Sequence, residues 1–429
     1  MSLRGRGAAG SAARTAMVLS RFGLTASAMA QRLDQYASAL AELGIRPTWP
    51  ATACVLARHP ALLREYARAG AELAVHGLVH GDHAGLDRRE QRESIAQAAG
   101  IFERAGIVAV GFRGPYLRYN EATLDVLREL GFRYHSSQAV SFPLVSDDFS
   151  DIERASYLRA LEFYSARDAR RTAARPRLVD GMVDIPVAVP DDEILVERLK
   201  VDEETATAQW LAILEQTYER GDLFTIQLHP ERIRELGAAL VATLREARRR
   251  QPRVFIARLD EIAAWWLRRS RASLDVTRME AGRYRVHLDG DRDVRVMVRS
   301  PGTTADLEDP SGVGAMRDFE IETPRAPIAA VSHRSPAAAR AFLADEGVPF
   351  EISDDRERFG AFVDVGADWD ESAVLAAIEA ARDPVVQLAR WPDGARSALA
   401  VTGDIDALTI YDFAVRSWET RRRAGGTVQ

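Results

Sequence analysis

The chain has 429 residues, of which 47% are hydrophobic, so it is long enough for one large domain and a smaller one. A net charge of −6 argues against nucleic acid as the main partner, and the basic clusters Arg248–Arg250 and Arg421–Arg423 are predicted to be solvated helix ends. The single cysteine, Cys54, excludes a disulfide framework and a cysteine-rich zinc site.

Residues 1–21 are predicted to form a disordered tail, because residues 1–14 are rich in Gly, Ala and Arg. The apolar run Ala16–Leu19 is too short for a secretory signal, and no window approaches the length of a membrane span. The sequence therefore predicts a cytoplasmic protein without a membrane span.

Helices and strands are predicted to alternate over residues 22–270. The predicted helices are 26–43, 59–70, 87–105, 120–130, 203–220, 231–250 and 260–269. The predicted strands are 73–76, 107–112, 132–136, 183–189, 223–228 and 253–257, and residues 45–56 are predicted to form a strand and a loop. Residues 140–185 are less regular and are interpreted as an insertion. This order predicts an α/β fold with a parallel sheet or barrel.

The pattern changes after residue 270, and residues 271–390 are predicted to be a small α+β domain that includes a hairpin with a turn at Asp289-Gly290. Residues 391–424 are predicted to supply a last strand, which ends in two acids, and a helix from Thr409 to Arg423. Because Asp404 and Asp406 are two residues apart, they would share one face of an extended strand.

Two histidines four residues apart, His76 and His80, follow a short apolar strand. Neutral imidazoles at this spacing can converge on one point, which is a common beginning of a divalent-metal site. With His83, three of the eight histidines lie within eight residues, which favours a metal over unrelated surface histidines. His83 itself is predicted to be structural rather than a ligand.

Three short motifs occur in chain order, each at the end of a predicted strand. They are His76-x-x-x-His80, Arg113-x-Pro115-Tyr116 and Leu228-His229-Pro230. Together with the segment Leu43–Pro50, they resemble the polysaccharide deacetylase family, whose NodB-homology domain is a distorted (β/α) barrel. The resemblance covers roughly residues 22–266 and implies that residues 22–270 are the main part of such a barrel, with its site at the carboxyl ends of the strands.

One family motif is missing from its usual place. A strand ending in Asp-Asp or Asp-x-Asp normally precedes the first helix, but only Met17–Phe22 stands there, without an acid. The segment Thr402–Asp406 resembles that motif, which indicates a circular permutation in which the C-terminal strand completes the barrel and the α+β domain is inserted before it. The alternatives are that the C-terminus begins a truncated second copy or completes a neighbouring subunit.

The resemblance implies that Asp406, His76 and His80 hold a divalent metal ion, which in this family is usually zinc. It also implies roles for four further residues. Asp404 would be the general base, Arg113 its orienting partner, the Tyr116 backbone N–H an oxyanion donor and His229 the general acid. From the residues alone, each has a structural alternative: a helix-starting acid, a surface arginine, a loop aromatic and a structural histidine.

Two positions depart from the family pattern. Gly77 stands where the family usually has Ser or Thr. The family also has a motif that typically consists of an acid followed by an aromatic residue. Its nearest counterpart here is the segment Asp184–Glu193, in which Asp191 or Asp192 would support His229 or Arg113. The sequence does not decide between these two acids.

The predicted function is metal-dependent hydrolysis of a carbon–nitrogen bond other than a peptide bond. N-deacetylation of an amino-sugar glycan or its precursor is the first hypothesis, by metal-activated water with an Asp base and a His acid. The alternatives are hydrolysis of a small cyclic imide or ureide, and glycan binding without catalysis. The expected partner is thus a glycan or an amide-containing small molecule, whereas the residues predict neither an oligomeric state nor a role for residues 271–390.

Overall fold

The structure is a computed structural model that describes residues 22–300, 303–306 and 317–415. The predicted N-terminal tail and the part of the predicted C-terminal helix beyond residue 415 lie outside the described residues. Within them, no helix combines the length and the apolar composition that are needed to cross a bilayer.

The helices of the described chain agree with most of the predicted ones to within a few residues. They are α1 (Ser27–Ala41), α2 (Ala53–Arg58), α3 (Pro60–Arg68), α4 (Arg88–Arg104), α5 (Glu121–Glu129), α6 (Asp151–Phe163), α7 (Glu203–Arg220), α8 (Ile233–Arg249), α9 (Leu259–Arg269), α10 (Ala337–Asp345) and α11 (Glu371–Glu379). Residues 410–415 are also helical. Helix α6 lies in residues 140–185, which were predicted to be irregular. A capping box begins this helix: the Ser150 side chain accepts a hydrogen bond from Glu153 N, and the Glu153 side chain accepts one from Ser150 N.

The strands are mostly short. They are β1 (Thr48–Ala51), β2 (Glu72–Val75), β3 (Gly111–Phe112), β4 (Tyr134–His135), β5 (Ala139–Ser141), β6 (Arg167–Asp168), β7 (Arg177–Val179), β8 (Met182–Asp184), β9 (Val187–Val189), β10 (Leu223–Gln227), β11 (Val254–Ile256), β12 (Ser273–Glu280), β13 (Arg283–Asp289), β14 (Val296–Ser300), β15 (Thr303–Asp306), β16 (Asp318–Glu322), β17 (Ala326–Val331), β18 (Phe350–Ile352), β19 (Phe359–Val363), β20 (Val385–Leu388) and β21 (Ser397–Thr402).

The main sheet has nine strands in the order β10-β21-β1-β2-β3-β4-β8-β7, with β11 paired to β21. All neighbours are parallel except β7 and β8. The sheet curls into a half-barrel. The α/β fold with a mainly parallel sheet is thereby confirmed, while a complete barrel stays a prediction.

Strand β21 is near the end of the sequence but lies inside the main sheet. It pairs along its length with β10, from Leu223 opposite Ala398 to Gln227 opposite Thr402, and it meets β1 at Thr48. Gly403 allows a close approach after the strand, because a Cβ at this position would lie 2.3 Å from Leu228 O. The acids that follow β21 are thus placed beside the ends of β1 and β10 of the same chain.

A buried carboxylate holds the amino ends of several strands at the opposite side of the sheet. Glu72 accepts hydrogen bonds of 2.6 Å from both Thr48 Oγ1 and Tyr134 OH, and one of 3.0 Å from Asp260 N. Burial and the nearby Asp260 carboxylate raise the pKa of Glu72 to about 7. This network ties β1, β2 and β4 to α9, so the carboxyl ends of these strands are held in fixed relative positions.

Residues 273–388 add three small sheets, which are antiparallel β12-β13-β16, antiparallel β15-β14-β20 and parallel β18-β17-β19. The predicted hairpin around Asp289-Gly290 is wrong, because β13 and β14 belong to different sheets. Val286 and Leu288 pack in one apolar cluster with Trp265 of α9 and Trp391. The domain boundaries at residues 271 and 390 stay a prediction.

Candidate functional site

Three potential metal ligands lie together at the carboxyl ends of β2 and β21. His76 follows β2, His80 lies four residues later, and Asp406 follows β21. Their ligand atoms lie within 4.8 Å of one another, and all three side chains are buried. Asp406 Oδ1 is 3.3 Å from His76 Nε2, and Asp406 Oδ2 is 3.3 Å from His80 Nε2. The structure therefore brings together the three residues for which a metal-binding role was predicted.

The chemistry of this group fits a divalent cation. His76 Nδ1 lies 2.9 Å from Arg113 O, which assigns the N–H to Nδ1 and leaves the lone pair of Nε2 facing the site. His76 Nε2 is buried and makes no hydrogen bond to the described residues. Two imidazoles and one carboxylate form a donor set typical of zinc sites that keep a position open. The residues present thus fit the metal that the resemblance implies.

The predicted general base, Asp404, is buried beside the metal-ligand group. Its Oδ2 lies 3.5 Å from His76 Nε2 and 3.2 Å from Gln227 Nε2, and its Oδ1 lies 3.4 Å from Arg113 Nη1. Arg113 Nη1 also donates a shorter bond, of 2.8 Å, to Gln227 Oε1. Gln227 therefore bridges the guanidinium and the carboxylate. Gln227 was not predicted as a site residue, although it stands two positions before His229, on the same face of an extended strand.

Arg113 is fully buried, which excludes the alternative of a surface arginine. Its Nη2 donates to Ser136 Oγ at 3.0 Å and lies 3.5 Å from Thr402 Oγ1. Burial lowers the pKa of Arg113, and the Asp404 carboxylate acts in the opposite direction. The guanidinium thus links groups from β10, β21 and the segment after β4 across the interior of the half-barrel.

Asp192, rather than Asp191, supports His229. The two carboxylate oxygens of Asp192 lie 2.8 and 3.0 Å from His229 Nδ1, and Oδ2 also accepts the backbone N–H of His229 at 2.9 Å. Asp191 instead accepts the backbone N–H of Ile194 at 2.9 Å. Burial by itself would lower the pKa of His229, but the charge and hydrogen bond of Asp192 raise it well above its usual value. Asp192 thus occupies Nδ1 of His229 and favours the imidazolium form of the ring.

Tyr116 lies next to the metal-ligand group. Its ring is 4.3 Å from the His80 ring in an edge-to-face arrangement. Tyr116 and Leu117 have φ values of +60° and +55°, in the left-handed region that side chains larger than glycine seldom adopt. This unusual turn sets the direction of the Tyr116 backbone N–H, the predicted oxyanion donor.

Gly77, which departs from the family pattern, is explained by its backbone. It has a φ of +77°, and a Cβ at this position would lie 2.9 Å from both Val79 O and His83 Nε2. His83 is buried with its ring 5.5 Å from the Phe112 ring, and it is not a member of the three-residue ligand group. The loop between His76 and His80 thus packs too tightly for the Ser or Thr of the family.

Replacing Gly77 by Ser is expected to lower the free energy of unfolding by about 1–3 kcal/mol, because it adds backbone strain and a steric clash. It is also expected to weaken metal binding, since the loop carries both predicted histidine ligands. Chemical denaturation and metal titration measure the two effects. Gly85→Ser is the control, because its Cβ would have no atom within 4 Å. A Gly77→Ser protein as stable as the control variant would contradict the explanation.

Comparison with known proteins agrees with the motifs. Residues 24–135 match the family model described as polysaccharide deacetylase. This segment includes His76, His80, Arg113 and Tyr116, but not His229, Asp404 or Asp406. A curated relative, the peptidoglycan deacetylase-like protein FGM2 of Gibberella zeae, is 36% identical over 69 residues, which are 16% of this chain and 20% of that protein. The match thus spans about a fifth of the relative's length.

Several solved structures are similar to part of the chain. A protein from Mycobacterium smegmatis named as a polysaccharide deacetylase is 24% identical, with a TM-score of 0.42 over 55% of this chain and 76% of that chain. One from Pseudomonas aeruginosa PAO1 is 21% identical, with a TM-score of 0.42 over 56% and 72%. Puue allantoinase is 19% identical, with a TM-score of 0.43 over 55% and 72%. Residues 24–135, about a quarter of the chain, thus carry a domain that is similar to the polysaccharide deacetylase (NodB-homology) family.

Proposed function

We propose that the chain is a metal-dependent hydrolase that removes the acetyl group from an N-acetylated amino sugar in a glycan or its precursor. The observation that carries this proposal is the buried group of His76, His80 and Asp406, with the carboxylate of Asp404 3.5 Å from His76 Nε2. An amide is a poor electrophile with a poor leaving group, so its hydrolysis needs an activated water, a stabilised oxyanion and an acid for the amine.

In this proposal His76, His80 and Asp406 hold a divalent ion, and zinc is the ion that the family resemblance implies. Bound there, such an ion supplies Lewis-acid chemistry, which makes water a stronger nucleophile at neutral pH and polarises a carbonyl. The Arg113 carbonyl that fixes the His76 ring belongs to the same residue whose guanidinium faces the base. One residue therefore positions a ligand and the base together.

Asp404 accepts the proton of the attacking water. Its carboxylate is oriented by two donors, Gln227 Nε2 at 3.2 Å and Arg113 Nη1 at 3.4 Å. Because the guanidinium is buried, its interaction with this carboxylate is screened less than it would be at the surface. The two donors thus hold the carboxylate in one orientation.

His229 protonates the leaving amine. Asp192 occupies His229 Nδ1, so Nε2 is the nitrogen that delivers the proton. His229 follows β10, and Asp404 follows the neighbouring strand β21, which places the acid and the base on adjacent strand ends. The Tyr116 backbone N–H donates to the oxyanion that develops when water adds to the carbonyl.

Replacing Asp192 by Asn is expected to move the alkaline limb of the kcat/KM profile to lower pH. The His229 imidazolium exists below its raised pKa and is lost as the pH rises through that pKa. Asn cannot supply the negative charge, so the pKa falls, and the limb shifts by about one pH unit or more. Asp191→Asn is the matched control, because Asp191 accepts from Ile194 N instead. An unchanged alkaline limb in Asp192→Asn would argue against His229 as the acid.

Two assays test the function as a whole. Bound metal is measured in the purified protein, and acetate release is measured with N-acetylated chito-oligosaccharides. Metal together with acetate release supports the proposal. Metal without acetate favours hydrolysis of a small cyclic imide or ureide, and absence of metal favours a glycan-binding module without catalysis.

We also propose that the motif order results from a circular permutation, with residues 271–390 as an accessory α+β domain before the last strand. The internal position of β21, parallel to both β10 and β1, supports this proposal. Such an order separates the ligand Asp406 from His76 and His80 in sequence but not in space.

A further inference from the structure

Two separate segments carry the proposed metal ligands, with the two histidines in one and Asp406 in the other. Strand β21 ends four residues before Asp406. Backbone hydrogen bonds hold the preceding residue, Ile405, beside β1: its N–H donates to Pro50 O at 2.7 Å, and its carbonyl accepts from Thr52 N at 3.3 Å. These bonds fix one side of Asp406, so the position of the ligand also depends on what holds the chain after it.

The side chain of Asp412 holds the chain on the other side of the ligand. Its Oδ2 accepts the backbone N–H of Leu408 at 3.1 Å, the backbone N–H of Thr409 at 2.8 Å and the Thr409 hydroxyl at 2.8 Å. The Asp412 N–H donates in return to Thr409 Oγ1 at 3.1 Å. A carboxylate whose side chain is only 1% exposed thus fixes the turn that begins two residues after Asp406.

The same carboxylate is paired with the end of α2. Arg58, the last residue of this helix, has its Nε 3.0 Å from Asp412 Oδ1, and His59 Nε2 lies 3.2 Å from Asp412 Oδ2. The Arg58 guanidinium also lies 4.1 Å from the centre of the Tyr411 ring. Because Asp412 is buried, its ion pair with Arg58 is screened less than a pair at the surface. These contacts join α2 to the segment that carries Asp406.

The beginning of α2 is bonded to the loop that carries the two histidines. The N–H groups of Ala53 and Cys54 donate to Gly77 O and Leu78 O, each at 3.0 Å. Both acceptors lie between the two histidines in sequence. The N–H groups in the first turn of a helix have no acceptor within the helix, so these bonds also satisfy two such donors. Helix α2 therefore contacts the histidine loop with its first turn and the Asp406 segment with its last residue.

We propose that Asp412 is a positioning residue for the metal site, which acts through α2 to hold Asp406 at the distance from the two histidines that a metal ion needs. The proposal rests on the proposed metal-dependent function. Since more than three hundred residues separate the two segments, only tertiary contacts set their relative position. Asp412 is not a member of the ligand group and takes part in none of the proposed chemical steps. Replacing a residue that orients a metal ligand weakens metal binding by about 10- to 100-fold.

The test measures zinc affinity by competition with a chromogenic chelator, in the full-length chain without substrate. Asp412→Asn is expected to raise the Kd for zinc about tenfold or more, because it keeps the shape of the side chain and removes its charge. Arg58→Gln leaves the Asp406 segment unaltered and is expected to raise the Kd as well. Since both variants break one ion pair, the double variant should lose less affinity than the two separate losses combined.

Asp370→Asn is the matched control. Asp370 also caps a helix, by accepting the Ala373 N–H at 2.9 Å, and also pairs with an arginine, Arg171, at 3.1 Å. Its helix, α11, carries no proposed site residue, so this variant should bind zinc as the wild type does. Cobalt gives a second readout, because the visible absorption of bound Co²⁺ depends on ligand geometry. Cobalt-saturated Asp412→Asn is expected to have an altered spectrum, which a loss of stability by itself would not cause in the folded protein.

The outcomes separate the positioning role from the proposed function. Wild-type zinc affinity and an unchanged cobalt spectrum in Asp412→Asn and Arg58→Gln overturn the positioning role and leave the deacetylase function intact. Equal weakening by Asp370→Asn also overturns it, since a general loss of stability would then explain the effect. Zinc binding that depends on Asp412, in a protein that releases no acetate, supports the positioning role and defeats only the deacetylase function.

Discussion

Asp406→Ala is expected to abolish both metal binding and acetate release. The Asp406 carboxylate approaches His76 Nε2 and His80 Nε2 at 3.3 Å each, so its removal leaves only two imidazoles for the ion. Two neutral ligands do not complete the set of three protein ligands that is typical of catalytic zinc. We expect the metal content to fall from about one ion per chain to near zero, and the turnover rate to fall by about 10³-fold or more.

Asp404→Asn is the matched control, since it keeps all three proposed ligands and removes the proposed base. Its metal content is expected to stay at the wild-type value, while kcat falls by about 10²–10⁴-fold. Metal analysis by mass spectrometry and an acetate assay distinguish the two variants. If Asp406→Ala kept full metal and activity, the C-terminal segment would have no part in the site.

Co-expression of two inactive variants tests whether the site is built within one chain. In the structure, His76, His80 and Asp406 belong to one chain, and β21 pairs with β10 of that same chain. A mixture of His76→Ala and Asp406→Ala proteins is therefore expected to remain inactive. Restored activity would mean that neighbouring subunits exchange their last strand. An intact site would then combine Asp406 of the His76→Ala chain with His76 of the Asp406→Ala chain.

The candidate site illustrates what a sequence can reveal and what it cannot. His76 and His80 were found by their local spacing, but Asp406 lies more than three hundred positions later and was found only through its resemblance to a displaced motif. Gln227 was missed, because its contact with Asp404 depends on β21 lying next to β10. Asp191 and Asp192 are adjacent, so only the backbone conformation decides which carboxylate faces His229.

The fold shows the same division between local and distant information. Asn120 was correctly predicted to begin a helix, because its side chain accepts the Thr123 N–H within a capping box. The turn at Asp289-Gly290 is an equally local pattern, yet the predicted hairpin is wrong. Val286 and Leu288 pack in a cluster with Trp265, and burial against this distant helix outweighs the preference of the dipeptide.

A buried carboxylate connects the small sheets to the half-barrel. Glu346, at the end of α10, forms ion pairs with Arg175 and with Arg390, whose Nε is 3.1 Å away. Its backbone carbonyl accepts a bond of 2.8 Å from Arg269 Nη2 of α9. Burial by itself would raise the pKa of Glu346, but the arginines lower it far below its usual value. The residue is therefore ionised wherever the protein is folded at ordinary pH.

Glu346→Gln is expected to lower the free energy of unfolding by about 3–5 kcal/mol, because buried guanidinium groups then lose their negative partner. Arg175 keeps a second carboxylate, Asp222, at 2.6 Å, whereas Arg390 does not pair with another acid among the described residues. Chemical denaturation at pH 7 measures the effect. Glu351→Gln is the matched control, since Glu351 pairs with Arg358 at 3.5 Å but is 49% exposed, and exposed pairs add little stability.

The effect of Glu346→Gln is also expected to depend on pH in a defined direction. A carboxyl whose pKa is lowered on folding stabilises the protein fully above its pKa in the unfolded chain, and this contribution is lost as the pH falls. The difference between the wild type and Glu346→Gln should therefore shrink below about pH 4.5. A difference that stays constant down to acid pH would mean that lost packing, rather than lost charge, destabilises the variant. Because Arg390 lies shortly before β21, loss of this ion pair should also weaken metal binding at Asp406.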